Sequence, residues 1–143
     1  APVYPGECWG VDREAHNVFY RFELKRGWTA TVTFDDHGKN VFQLFPDVQF
    51  YDYSKLHNRK VAAYKNYHLT FSRSESNDKD VARAIAAGMN VAVVFNELPT
   101  SYMGLPVLDA DEDDLRFLDP PNHIVGLKAK GRARKDTSGF VVR

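Results

Sequence analysis

The chain has 143 residues, a length that fits one domain of common size. Its 43% hydrophobic and 13% aromatic content supports a substantial core, and its 19 basic and 19 acidic residues leave no formal net charge. The charge balance therefore gives no argument for a nucleic-acid or membrane partner, which would have to rest on local patches.

Cys8 is the only cysteine. A single thiol excludes an intramolecular disulfide and any zinc or iron–sulfur centre built from several cysteines of this chain. The longest uncharged apolar run, residues 89–95, is far shorter than the roughly 20 residues of a membrane helix. No signal-peptide pattern is present. We therefore expect a soluble protein of a reducing cytoplasm without a membrane partner, although export or virion association stays compatible with one thiol.

Residues 1–38 are predicted to form an irregular arm followed by an antiparallel β-hairpin. The arm, residues 1–10, holds two prolines and two glycines. Residues 17–23 and 28–34 alternate, are rich in β-branched and aromatic side chains, and flank a short segment that ends in Gly27, which is typical of a hairpin. The first residue is alanine, which we interpret as a processed protein or a fragment.

Residues 39–143 are predicted to form an α/β domain that packs with the arm and hairpin as one globular unit. Its sheet is expected to be small and mostly parallel, either partial β/α-barrel-like or Rossmann-like. Residues 41–45 are predicted to be the end of a helix that stops before Pro46. Residues 55–66 are rich in basic side chains and are predicted to contain a short helix. Strands are predicted at residues 48–53, 67–71, 90–95 and 124–127.

A helix is predicted between the second and third of these strands. Ser76 or Asn77 is its expected N-cap, and Gly88 its end. Its apolar stripe is expected to consist of Val81, Ala82, Ile85 and Ala86. Strand, helix and strand with short connections indicate a parallel βαβ unit.

Ligands of open parallel sheets and barrels bind outside the carboxyl ends of the strands, where loops and helix N-termini converge. Basic or hydroxyl side chains follow three of the four predicted strands, and Asn96 follows the strand at residues 90–95. The basic and hydroxyl groups suit an anion such as a phosphate. The alternative is that they are ordinary solvated loop residues. The predicted ligand-binding residues are Lys55, Ser72, Arg73, Ser74, Asn96, Lys128, Lys130 and Arg132.

Two charge clusters allow more than one interpretation. Residues 128–135 carry five positive charges in eight residues, which suits nucleic-acid phosphates or a solvated tail. Residues 109–114 hold five carboxylates in six residues without the glycine and distal glutamate of an EF-hand. They could bind Mg²⁺ or Ca²⁺, form a solvated loop, or face and neutralise the basic tail. We assign no metal ligand.

Common catalytic and cofactor motifs are missing from the sequence. There is no G-x-S-x-G, Walker loop or G-x-G-x-x-G, and the five histidines show no ligand spacing. No cofactor is expected, and no catalytic residue is assigned.

From about residue 40 to 142 the chain resembles a family of phage and prophage proteins. Longer members of that family are similar to radical-SAM-like half-barrels and to the phage gene-product-88 group. Five segments in the same order carry the resemblance, namely FPDVQFYDYSK at 45–55, NYHLTFSRSESN at 66–77, GMNVAVVF at 88–95, DLRFLDP at 114–120 and VGLKAKGRARKDTSGFVV at 125–142.

The resemblance implies that this region is the later part of a parallel β/α barrel-like sheet in a phage protein. Full-length relatives carry a cysteine-containing N-terminal half, and residues 1–38 do not look like it. A radical SAM cluster needs three cysteine ligands, so that chemistry is excluded for this chain alone. The chain is then a shortened relative with a replacement hairpin or a piece of something larger.

Three functions follow as hypotheses. The first is a phage-derived binding module for a phosphate-bearing ligand, nucleotide or nucleic acid, at the strand ends. The second is a virion-associated or oligomeric structural protein in host cells, which would assemble through an exposed patch of the N-terminal aromatics Trp9, Phe19, Tyr20 and Trp28. The third is a metal-assisted phosphoesterase that uses the acidic loop.

Overall fold

The structure is a computed structural model that describes residues 8–10, 19–24, 28–32, 40–59 and 64–143, with side chains described from residue 40 onward. The chain divides into two compact units, Ala1–Gln49 and Phe50–Arg143. The predicted packing as one globular unit stays a prediction.

The first unit contains a three-stranded antiparallel sheet in the order β1-β2-β3. Its strands are β1 (Cys8–Gly10), β2 (Phe19–Leu24) and β3 (Trp28–Val32). Leu24 pairs with Trp28 where β2 and β3 run antiparallel, so the predicted hairpin is confirmed. The prediction of an irregular arm is wrong for residues 8–10, because they form a strand that pairs with β2. The prolines and glycines nearby gave no sign of this pairing in the sequence.

A short helix, α1 (Val41–Leu44), follows in the first unit. The Asn40 side chain accepts from the backbone N–H of Gln43 at 3.1 Å, and the Gln43 side chain accepts from that of Asn40 at 3.0 Å. This reciprocal cap satisfies two backbone donors that a helix start leaves unpaired. The predicted helical segment before Pro46 is confirmed.

The second unit is built on a six-stranded sheet in the order β4-β5-β6-β9-β8-β7. Every neighbouring pair is parallel except β7 and β8, so the predicted mostly parallel α/β sheet is confirmed. The strands are β4 (Phe50–Ser54), β5 (Tyr67–Ser72), β6 (Val91–Phe95), β7 (Ser101–Tyr102), β8 (Leu105–Asp109) and β9 (Ile124–Lys128). The predicted short helix in residues 55–66 is absent from 55–59 and 64–66, and residues 60–63 lie outside the described chain.

The hairpin of β7 and β8 had no counterpart among the predicted strands. Its turn residues Met103 and Gly104 have φ angles of 48° and 81°, as tight hairpin turns require. Pro106 lies opposite Ser101 in the antiparallel pair. This strand was not predicted because a proline in the sequence disfavours the assignment of a strand. Because of this hairpin, β9 lies inside the sheet between β6 and β8.

Helix α2 (Asp78–Ala86) connects β5 to β6 and confirms the predicted βαβ unit. Its N-cap is Asn77, and the backbone N–H of Gly88 donates to the carbonyl of Ile85 at 2.9 Å where the helix ends. Gly88 adopts a φ of 81°, which favours glycine. Within the described residues, no helix is long and apolar enough to cross a membrane.

The core lies between α2 and one face of the sheet. Val81 and Ala84 of α2 are fully buried against a cluster of strand residues: Phe71, Val91, Val93, Phe95 and Ile124. Full burial of each Val, Ile or Phe side chain contributes about 1.5–3 kcal/mol. The predicted stripe needs correction, because Ala82 and Ala86 are exposed while Ala84 is buried. The sequence of a short helix rich in alanine does not show which face is buried, because alanines lie on both the buried and the exposed sides.

Replacement of Gly126 by alanine should destabilise the second unit. A Cβ there would lie 2.7 Å from Val107 Cγ1 and 2.9 Å from the Leu108 carbonyl oxygen, so a neighbouring strand would have to shift. Overpacking of this kind costs about 1–3 kcal/mol. We expect that loss in urea unfolding of Gly126→Ala, whereas Ser101→Ala at an exposed position should stay within about 0.5 kcal/mol of the parent. Equal stability of the two variants would contradict the packing around β9.

Candidate functional site

The strand ends of the sheet lie at two levels. Ser72, the last residue of β5, pairs with Ala92 near the start of β6, whereas Phe95 at the end of β6 pairs with Lys128. Asn96 is four residues beyond Ala92, about 13 Å at the usual rise of a strand. The single rim expected from the sequence is therefore divided into an early level at β4 and β5 and a late level at β6 and β9.

A cavity of about 300 Å³ opens at the early level, and we call it the strand-end cavity. Val91 and Val93 face the α2 core, so Ala92 and Val94 face the opposite side of the sheet, where this cavity lies. Its lining is mainly apolar with a few polar groups: Tyr53, Ser72, Arg73, Ala92, Val94, Leu127 and Phe140.

Lys55 and Ser72 meet beside this cavity. The Lys55 ammonium donates to the Ser72 hydroxyl at 3.5 Å, and this contact is solvent-exposed. A local turn positions Lys55, because the Ser54 hydroxyl accepts from the backbone N–H of Leu56 at 3.0 Å. Two of the predicted ligand-binding residues are thus brought together at one point.

Arg73, also predicted to bind a ligand, is used inside the fold. Its side chain is 8% exposed, and Nε donates to the Asp78 carboxylate at 3.1 Å. Nη1 donates to the carbonyl oxygens of Gly139 and Phe140 at 2.9 and 3.0 Å. The guanidinium therefore joins the end of β5 to the start of α2 and to the segment that carries Phe140.

The segment of residues 136–143 forms one wall of the strand-end cavity. Val142 bridges to Phe95 in parallel and exchanges backbone hydrogen bonds of 2.9 Å with Val94 and Asn96, so the segment continues the sheet beside β6. The Asp136 carboxylate accepts from the backbone N–H groups of residues 138, 139 and 141 and shapes the turn before it. These contacts hold Phe140 at the cavity.

The other predicted residues lie away from the cavity lining. The Ser74 backbone N–H donates to Asn77 Oδ1 at 2.7 Å, and Asn77 Nδ2 donates to the Ser72 carbonyl at 3.0 Å, which fixes the loop before α2. Asn96 is exposed at the late level. Arg132 is exposed in a 3₁₀ helix, Gly131–Lys135.

The late level is a surface of paired charges. Lys128 Nζ lies 2.8 Å from Asp109 Oδ2, and Lys130 Nζ lies 2.8 Å from Asp111 Oδ1. Hydrogen bonds from these two ammonium groups lower the pKa of Asp109 and that of Asp111. The hydrogen bond with Asp109 raises the pKa of Lys128. The expectation that the acidic loop faces and neutralises the basic tail is confirmed for these two pairs.

The carboxylates are not arranged as a metal site in the part of the chain that the structure describes. No group of three or more histidine, cysteine, aspartate or glutamate side chains there is placed to hold a metal ion. Asp109 and Asp111 instead contact lysines.

A comparison with models of protein families shows to which family the chain belongs. The model of the family described as gene product 88 matches residues 28–143. The chain belongs to the gene product 88 family. This is a family of phage-type gene products, and the match begins in β3, further toward the N-terminus than the resemblance read from residue 40 onward. Neither the curated proteins nor the solved structures contain a match to this chain.

Sequence reasoning missed the apolar part of the site in this family member. Ala92, Val94 and Leu127 belong to strands that were predicted, and only their alternation with core residues could have indicated the cavity face. Phe140 gave no such signal, because its position depends on contacts with Arg73 at long sequence separation.

Tyr53, which also lines the strand-end cavity, has a perturbed phenol group. Burial raises the pKa of Tyr53, and the nearby Arg116 partly offsets that rise.

Replacement of Arg73 by methionine should destabilise the second unit by about 2–3 kcal/mol. The change leaves the Gly139 and Phe140 carbonyls without their charged donor while it keeps most of the side-chain volume. Arg83→Met is the matched control, because Arg83 is 63% exposed in its ion pair with Asp80 and should cost less than about 1 kcal/mol. Chemical denaturation compares them, and similar losses would contradict a structural role of Arg73.

The pKa of Asp109 should rise toward its ordinary value of 3.8 in Lys128→Met, because Lys128 supplies the hydrogen bond that lowers it. A lowered folded-state pKa means that the pair stabilises the fold above the ordinary pKa and that this contribution is lost as pH falls through the folded value. Carboxyl ¹³C NMR titration measures the change. Asp111, whose first partner is Lys130, should move less. An unchanged Asp109 would contradict the pairing.

Proposed function

We propose that the protein is a phage-derived binding module for a nucleotide, with the phosphate at Lys55 and Ser72 and the apolar part of the ligand in the strand-end cavity. The observation that carries the proposal is the position of an exposed lysine–hydroxyl pair beside a cavity with apolar walls. Ligand sites combine mainly apolar walls with few polar groups in this way, and 300 Å³ lies at the small end of their range.

The Lys55–Ser72 pair suits a phosphate. An ammonium group and a hydroxyl both donate to phosphate oxygens, and charge-assisted hydrogen bonds are roughly twice as strong as neutral ones. Lys55 forms no ion pair with a carboxylate within the described residues, so its charge does not have to be released from an internal partner. Arg73 supports the site by donating to the Phe140 carbonyl, which holds Phe140 in the cavity wall.

A mononucleotide suits the charges better than a nucleic acid does. Long nucleic-acid sites need several lysines or arginines that neutralise successive phosphates. Lys128 and Lys130, the predicted contributors at the late level, lie 2.8 Å from carboxylates. A polyanion would have to compete with Asp109 and Asp111 for them, whereas a single phosphate at Lys55 would not.

The other two hypotheses receive less support. A metal-assisted phosphoesterase needs clustered ligands, and the described residues hold no such group. Assembly through hairpin aromatics rests on side chains that lie outside the described ones, so it stays a prediction.

Lys55→Met should weaken nucleotide binding about tenfold, the effect of losing roughly 1.4 kcal/mol from a phosphate contact. Lys79→Met removes one exposed lysine from α2 and should leave affinity unchanged, which controls for net charge. Isothermal titration calorimetry with nucleoside monophosphates, and with the matching nucleosides, measures both effects. The affinity for the nucleoside, which lacks the phosphate, should be the same in Lys55→Met and in the parent protein.

Two results would overturn the proposal. One is the absence of saturable binding of any nucleoside monophosphate to the parent protein at millimolar concentration. The other is an equal loss of affinity in Lys55→Met and Lys79→Met, which would show a general charge effect.

A further inference from the structure

A second cavity, of about 310 Å³, lies at the opposite end of the parallel strands, where β5 and β6 begin. We call it the strand-start cavity. It lies away from the strand-end cavity, and the two share no lining residue. Two titratable side chains, His68 and Asp119, line it together with a largely apolar wall that includes Leu69, Met89 and Phe117.

Asp119 is poorly satisfied at this cavity. Its Oδ2 lies 3.3 Å from Nε of Arg116, but Asp119 Oδ2, Arg116 Nε and Arg116 Nη1 are buried without a hydrogen-bond partner in the described part of the chain. The Asp119 side chain is 11% exposed, and burial raises the pKa of its carboxyl group. Oδ2 thus faces Arg116 without forming a hydrogen bond, and a desolvated carboxylate of this kind gains from a ligand that brings N–H groups.

The charges around Asp119 sum to a negative value. Arg116, with a side chain 3% exposed, is shared between Asp119 and Asp113, and its Nη2 donates to the Asp113 backbone and carboxylate at 2.8 and 3.2 Å. One cation therefore serves two carboxylates. An additional positive charge at the cavity would balance this group.

His68 does not supply that charge. Burial lowers the pKa of His68, so its ring is neutral at neutral pH. One ring nitrogen, Nε2, lies 3.4 Å from the Thr70 hydroxyl. The imidazole thus offers a polar but uncharged wall beside Asp119.

The remaining wall suits the organic part of a small cation. Leu69, Met89 and Phe117 are apolar, and the Phe117 ring is fixed by contact with Tyr51 at a centroid distance of 5.2 Å. An aromatic ring attracts a cation over its face. Both polar atoms of the Asn90 side chain are already engaged, because Nδ2 donates to the Pro120 carbonyl and Oδ1 accepts from the His123 N–H, both at 2.9 Å.

We propose that the strand-start cavity binds a small organic cation, a protonated amine or a guanidinium, through the Asp119 carboxylate. An anion is disfavoured, because Arg116 does not line the cavity and already faces two carboxylates, whereas Asp119 lines it directly. Amines and guanidinium groups share the required chemistry, a positive charge with N–H donors, and the experiment separates them.

The test is calorimetric titration of the whole chain with putrescine, agmatine and the uncharged 1,4-butanediol. Putrescine and agmatine should bind saturably and butanediol should not. Agmatine carries one amine and one guanidinium whereas putrescine carries two amines, so tighter binding of agmatine identifies the guanidinium, and equal or tighter binding of putrescine identifies the amine. Asp119→Asn keeps the shape and should weaken cation binding at least about tenfold, as expected for loss of a charged partner. Glu112→Gln removes an exposed negative charge nearby in sequence and should change affinity less than about twofold.

NMR on the unaltered protein covers the case in which Asp119→Asn does not fold. Addition of agmatine should shift the His68 ring resonances, because His68 lines the same cavity. Absence of cation binding, equal binding of butanediol, an unaffected Asp119→Asn variant or unmoved His68 signals would each overturn the proposal. Lys55→Met should leave cation binding unchanged, so this inference and the proposed nucleotide site succeed or fail separately.

Discussion

The second unit depends on one buried guanidinium. Arg73 follows β5, pairs with Asp78 in the first turn of α2, and donates to the carbonyls of Gly139 and Phe140, more than 60 residues away in sequence. Charged hydrogen bonds inside a fold are strong when made and costly when one partner is lost. Arg73 therefore fixes the βαβ unit and the cavity wall together, and it is a positioning residue of the proposed nucleotide site.

The stagger of the strands determines what the sheet can bind. Because β5 ends three residues and β4 four residues before the common end of β6 and β9, the basic side chains expected at one rim divide between two levels. The early level combines Lys55, Ser72 and an apolar cavity, and the late level neutralises its lysines with Asp109 and Asp111. A polar group at the strand starts, around Asp119, remains separate from both.

Local sequence signals predicted much of this fold, because alternation and continuous apolar runs reflect local geometry. The hairpin, the βαβ unit and the buried strand of residues 91–95 were all visible in this way. The β7–β8 hairpin was not, because Pro106 and a short turn hide it. The chemical use of Arg73 was not visible either, since an arginine after a strand has the same local context whether it faces solvent or residues 139 and 140. His68 was predicted only as a histidine within a strand, because its place at the strand-start cavity depends on residues that are distant in sequence.

Amide hydrogen exchange at Asn96 and Val142 tests most directly whether residues 136–143 belong to the sheet and complete the strand-end cavity. Both N–H groups donate to backbone carbonyls at 2.9 Å across the junction with β6. We expect them to exchange as slowly as the ladder amides of β6 and to open only with the second unit as a whole. Rapid exchange of Val142 beside a protected β6 would contradict the account, because Phe140 would then not be held as a wall.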